Sequence, residues 1–157
     1  MSLPDRSRPA QQPIHEQGNR SSIVFVTVCT KKRQPVLANE QAHRLLIDAW
    51  NKADHFLVGR YVIMPDHIHL FCAPAILEHL SIKSWVAYWK SLVSKNWPNS
   101  NEKPLWQNYL WDTQLRQGES YSTKWQYVCQ NPVRHKLVQQ ADGWPWKGEL
   151  NPLLWHD

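Results

Sequence analysis

The segment Pro65-Asp66-His67-Ile68-His69-Leu70-Phe71 sets two imidazoles two residues apart. Side chains on a β-strand alternate between faces. His67, His69 and Phe71 therefore share one face, and Ile68, Leu70 and Cys72 share the other. Two imidazoles on one strand face can converge on a divalent metal, since histidine is the commonest protein metal ligand. The same spacing suits two strand histidines that are only solvated or hydrogen-bonded. A second constellation is Tyr127-Val128-Cys129-Gln130-Asn131-Pro132-Val133-Arg134. On a helix, Tyr127 and Asn131 stand one turn apart on one face, with Lys124 on the same stripe. Tyr121, Trp125, Val128 and Cys129 form the adjacent apolar stripe, which puts Tyr127 beside a core rather than inside it. A boundary tyrosine followed by a C-capping asparagine has this pattern too.

The surrounding elements must position these groups. Ile23 to Cys29 (IVFVTVC) is rich in β-branched and aromatic residues and reads as a buried strand. The basic run Lys31, Lys32, Arg33 follows as a loop at the strand end. Between Asn39 and Asp54, the residues Ala42, Leu45, Leu46, Ala49, Trp50 and Ala53 repeat at helical spacing, with Asn39 as N-cap. Phe56–Ile63 and His67–Cys72, joined by Met64-Pro65-Asp66, read as a hairpin. A second helix is expected over about 79–97, ended by Pro98. A strand lies within Leu105–Leu115, and a third helix over about Glu119–Asn131, stopped by Pro132. This order predicts an α+β fold. Its sheet is largely antiparallel with helices on one face, in a ferredoxin-like or RRM-like topology.

The chain has 157 residues, so residues 21–142 are read as one domain. Residues 1–20 read as a flexible arm, and 143–157 as a Trp/Pro-rich tail packed on or near the domain. No apolar run is long enough to span a membrane, and the first twenty residues lack the apolar core of a secretory signal. Cys29, Cys72 and Cys129 form no C-x-x-C pair, which excludes a cysteine zinc motif and suits a reducing cytoplasm. The formal charge of +5 favours a polyanionic partner, or is ordinary solubility charge. Ten tryptophans, nine of them from Trp85 onward, exceed what a small core holds comfortably. Flat aromatics outside the core serve as base-stacking platforms, with Trp106, Trp111 and the tail tryptophans as candidates.

Taken together, these blocks resemble the HUH endonuclease superfamily, in its single-tyrosine transposase branch, and above all the REP-associated tyrosine transposases. The resemblance rests on Phe25-Val26-Thr27, on V-I-M-P-D-H-I-H-L-F at 62–71, on Leu105-Trp106-Gln107 with Trp111-Asp112, and on Y-V-C-Q-N-P-V-R at 127–134. Gly143-Trp144-Pro145-Trp146 with Gly148-Glu149 resembles the family's ending, so the likeness runs from about 20 to 150. It implies an HUH nuclease fold, His67 and His69 as metal ligands, and Tyr127 as nucleophile. Asn131 falls where relatives place a polar third ligand, often a longer Gln. Two departures stand out: His135-Lys136 where relatives often have Gly, and Cys129 where they carry a polar or aromatic residue.

The chemistry so implied is attack by a tyrosine hydroxyl on single-stranded DNA, leaving a 5′-phosphotyrosine and a free 3′-OH. A phenol with an ordinary pKa of about 10 is scarcely ionised at neutral pH. A metal on His67 and His69 would polarise the phosphate, and Lys124 is a candidate to assist the phenol or contact a phosphate. Mg²⁺ or Mn²⁺ is the expected metal, with Zn²⁺ or Ni²⁺ acceptable to two imidazoles in a purified sample. The expected substrate is a short hairpin with flanking single strand. Its candidate contacts are Lys31, Lys32, Arg33, Lys83, Lys90, Arg116, Arg134 and Lys136. The protein is expected to act as a monomer or homodimer. Two rivals stay open: a non-catalytic single-strand-binding module with an RRM-like sheet, and a metal-dependent hydrolase using water. No RNP-type motif supports the first. For the second, Asp66 and Asp112 are the only nearby extra ligands.

Overall fold

A computed structural model describes residues 22–155. The arm expected over 1–20 lies outside the described residues. The chain runs β1 (Val24–Thr30), α1 (Glu40–Lys52), β2 (Phe56–Ile63), β3 (His67–Pro74), α2 (Ile82–Lys95), β4 (Trp106–Gln114), α3 (Tyr121–Cys129), α4 (Asn131–Arg134) and β5 (Lys147–Glu149). The five strands form one sheet in the order β4-β1-β3-β2-β5. Every pairing is antiparallel. Without β5, this is the strand order and element sequence of a ferredoxin-like fold, as expected.

Capping decides where the helices begin. The Asn39 side chain accepts a hydrogen bond from the Ala42 amide at 2.9 Å, so α1 starts at Glu40. Ser81 Oγ accepts from the Ser84 amide at 3.1 Å, which starts α2 later than the apolar spacing alone suggested. Ser120 does the same for α3 through the Thr123 amide.

Strand alternation gives the sheet two apolar faces. On one, Val24, Val26, Val28, Ile68, Leu70 and Cys72 pack beneath α1 and α2, with Trp50, Trp85 and Trp89 as the bulkiest fill. On the other, Ile23, Val62, Phe71 and Ala73 pack against Tyr121 and Val128 of α3. The expectation of helices on one face thus holds for α1 and α2, while α3 takes the opposite face. Both faces of β3 are apolar, so an apolar helix stripe alone does not say which it covers.

The tail adds more than surface packing. Lys147–Glu149 extends the sheet beside β2, pairing Arg60 with Glu149 and Val62 with Lys147. Trp144 is buried and donates its Nε1–H to the Ile63 carbonyl at 3.0 Å. Leu153 crosses Gly59, where a Cβ would lie 2.6 Å from both Leu153 Cδ1 and Tyr121 Oη. Only glycine permits that approach.

Candidate functional site

The α3-bearing face is covered over Phe71; His67 is buried, and His69 lines a cavity beside α3. Both histidines sit on β3, the middle strand of five, with β1 on one side. His69 pairs with Thr27 of β1, and His67 with Cys29. The two imidazole centroids lie 4.7 Å apart, edge to face.

Each ring is oriented through Nδ1. His67 Nδ1–H donates to Asp66 Oδ1 at 2.8 Å, and Arg33 Nε donates to Asp66 Oδ2 at 3.0 Å. His69 Nδ1 lies 2.9 Å from Thr27 Oγ1, which can accept its proton. That tautomer directs an Nε2 lone pair from each ring away from its Nδ1 partner, the arrangement metal-binding histidines use. Burial first, then the neighbouring His67, Arg134, His135 and Arg33, pushes His69 down to about 3. Burial also lowers His67, against the raising influence of Asp66. Asp66 is itself held below the usual carboxylate range, because the contacts from His67 and Arg33 outweigh its burial. Two neutral imidazoles are ready to bind a cation without first losing a proton.

Tyr127 lies on α3, is 68% exposed, and lines this cavity of about 380 Å³ with His69, Phe25, Phe71, Thr113, Lys124, Asn131 and Arg134. Asn131 is buried. The regular helix stops at Cys129, and Asn131 opens the separate turn α4. Pro132 brings no amide to continue the ladder, which accounts for the break in the expected single helix. Arg134 spans that break. Its guanidinium lies 4.0 Å from the centre of the Tyr127 ring. It donates to the Tyr127 carbonyl at 2.9 Å and to Asn131 Oδ1 at 3.1 Å.

Among the described residues no group of three or more His, Cys, Asp or Glu side chains gathers to hold a metal. The side chains available to hold an ion are His67 and His69, with Asn131 Oδ1, which also accepts from Arg134 at 3.1 Å.

The remaining expected contacts divide. Lys31, Lys32 and Arg33 form the turn after β1, in which Lys32 and Arg33 have left-handed φ values of 56° and 55°. Arg33 is committed to Asp66. Lys124 lines the cavity but is ion-paired with Glu119 at 3.1 Å. Arg116 and Lys136 are exposed, in the loop after β4 and just beyond α4. Lys83 and Lys90 lie on α2, across the sheet from the histidines, and are not brought together with them. Lys90 Nζ donates to the Gln107 carbonyl at 2.8 Å, and burial lowers its pKa to about 8. Trp106 and, of the tail tryptophans, Trp144 also depart from the stacking expectation. Trp106 is buried and donates to the Lys90 carbonyl, while Trp144 is core. Trp111 is 52% exposed.

Three contributors escaped the sequence-based expectations. Thr27 orients His69, and Asp66 orients His67. His135 brings its ring centroid to 6.3 Å from that of His67. Asp66 directly precedes His67, a signal available from sequence. The other two depend on strand register and on the turn at α4.

A histidine pair thus sits at the centre of a ferredoxin-like sheet, with a tyrosine on a separate helix lining the same cavity as one of them. The sequence profile of the family described as Transposase IS200 like matches residues 20–129, and the chain belongs to that family. Over 125 residues the chain is 26% identical to the REP-associated tyrosine transposase of Escherichia coli, covering 77% of this chain and 72% of that protein. A Haemophilus influenzae relative is 29% identical over 112 residues, so the match spans 59% of this chain and 62% of that protein's length. A solved REP-associated tyrosine transposase bound to a REP hairpin shares the fold, with a TM-score of 0.70 and 22% identity. That likeness covers 97% of this chain and 92% of the other. No helix among the described residues is long and apolar enough to cross a membrane.

Proposed function

We propose that this chain is a metal-dependent single-stranded DNA endonuclease and strand transferase that acts at hairpin DNA through a phosphotyrosine on Tyr127. The observation that carries this is the shared cavity, in which an exposed phenol faces His69 and Asn131. The hairpin substrate is supported by the E. coli relative's name and by the REP hairpin bound in the similar structure.

In the proposed reaction Tyr127 Oη attacks the scissile phosphorus. The Oη–P bond forms as the P–O3′ bond breaks, the phenolic proton passes to solvent, and the departing 3′ oxygen takes up a proton. The 5′ phosphate stays on the enzyme. Attack by another 3′-OH reverses the step and rejoins strands without a nucleotide cofactor. His67, His69 and Asn131 would hold Mg²⁺ or Mn²⁺, which supplies polarisation of the phosphate and stabilisation of the leaving oxygen. Asp66 and Thr27 keep the two rings in the ligating tautomer. Arg134 holds the phenol ring and the Asn131 amide in one frame.

The test is a denaturing gel of labelled hairpin-bearing single strands incubated with the protein and Mn²⁺. A labelled protein band is expected, absent in Tyr127→Phe and with chelator. Cleavage without that band would point to water as nucleophile. Binding without cleavage across a broad pool of hairpins would point to a binding module.

A further inference from the structure

Tyr109 and Trp111 of β4 project from the sheet near the histidines, yet no step proposed above uses them. They are 51% and 52% exposed, with ring centroids 5.0 Å apart and planes at 87°. The register places Trp111, and Tyr109, two residues away on β4, shares its face. Trp111 pairs with Thr27 of β1, and Thr27 with His69 of β3. Directly opposed residues in antiparallel strands point to the same face. Trp111, Thr27 and His69 thus form one row across the sheet, and strand spacing puts Trp111 about 10 Å from His69. Thr113, two residues along β4, already lines the cavity with His69 and Tyr127, which confirms the face. Between Trp111 and His69, β1 presents the short side chain of Thr27, with Phe25 beside it stacked on His69 at 5.4 Å. The result is a trough with Tyr109 and Trp111 on one wall, His69 stacked on Phe25 on the other, and Thr27 between them.

We infer that this trough seats an unpaired nucleobase next to the scissile phosphate, stacked on the Tyr109–Trp111 pair. The occupant follows from the chemistry of the wall. An exposed edge-to-face pair offers a flat π surface, which any nucleobase can stack on and a phosphate cannot. The base belongs to the strand whose phosphate lies at the histidines, so the inference rests on the proposed function. It adds a single-strand requirement at a defined place: a base still paired in a duplex cannot turn onto β4.

The experiment uses full-length Tyr127→Phe protein, which binds without cutting. Its probes are hairpin oligonucleotides carrying 2-aminopurine at successive positions of the flanking strand, and an unstructured thymidine tract. Stacking quenches 2-aminopurine, so one position is expected to dim on binding. Trp111→Leu should abolish that dimming and weaken binding about tenfold or more. Trp111→Phe should restore both in part. Because no charge is removed, the slope of affinity against salt should not change. If wild-type protein forms the covalent adduct but Trp111→Leu binds and quenches as before, the nucleobase site is wrong and the proposed function stands. Failure of the wild-type protein to bind either probe would overturn both. A weaker Trp111→Leu complex with a lowered melting temperature would make Trp111 structural and overturn the site.

Discussion

Acidifying the solution should destabilise this fold through His69 in particular. The imidazole stacks on Phe25 at 5.4 Å, contacts Thr27, and is pushed from its ordinary 6.5 down to about 3, chiefly by burial. Between those values the unfolded chain binds a proton at this position and the folded chain does not. Stability is therefore full above pH 6.5 and falls as the pH drops toward 3. Each pH unit in that window costs about 1.4 kcal/mol, so moving from pH 7.5 to 5.0 costs about 2 kcal/mol from this group alone. For a chain of this size that is a fall in melting temperature of about 4–8 °C. The assay is thermal unfolding with chelator present, comparing wild type with His69→Asn. Asparagine can keep a hydrogen bond to Thr27 but cannot titrate. The variant starts less stable, and its melting temperature should fall less over the same pH interval. Parallel curves for the two proteins would refute the argument that His69 is held neutral by its surroundings.

Other perturbations follow from the contacts. Arg134→Lys keeps the charge but loses the guanidinium fork. It should slow adduct formation at saturating DNA about as much as Arg134→Met does, on the order of 10²-fold as for a misplaced reacting group. Rescue by lysine would mean that Arg134 acts only as a phosphate-binding charge. Asp66→Asn should weaken Mn²⁺ binding about 10–100-fold by calorimetry, since the partner orienting His67 is altered; unchanged affinity would deny Asp66 that role. Gly59→Ala drives a methyl into Leu153 and Tyr121 and should cost about 1–3 kcal/mol in denaturant unfolding. An unchanged midpoint would show that the tail yields freely at this crossing.

Much of the site was legible because its signals are local. Strand alternation alone puts His67 and His69 on one face, and the 4.7 Å ring separation agrees with it. Helical spacing put Tyr127 beside the core, where it stands exposed on α3. What escaped is set by neighbours distant in sequence. Thr27 meets His69 only because β1 and β3 pair in one register. Lys90 reads as an exposed cation from sequence, yet its ammonium ends on a β4 carbonyl. Trp106 and Trp111 are indistinguishable by composition. Across the register shift between Val28 and Thr30, one is buried in the α1–α2 core and the other is exposed on the opposite face. The tail's short Lys147–Glu149 strand carries no alternating pattern of its own and exists because β2 offers it an edge.

The histidines and the tyrosine are anchored very differently. β3 is laddered on both sides by β1 and β2 and buried along nearly its whole length. α3 has nine residues, two of them buried, and ends against a proline-interrupted turn. Local unfolding free energies rise with burial and with shared hydrogen bonds. The helix that carries the phenol can thus loosen while the imidazoles keep their places. Gentle warming or dilute denaturant would disarm the site well before the sheet melts. Backbone amide exchange would mark the same boundary, with β3 protected to the level of global unfolding and α3 exchanging through smaller openings.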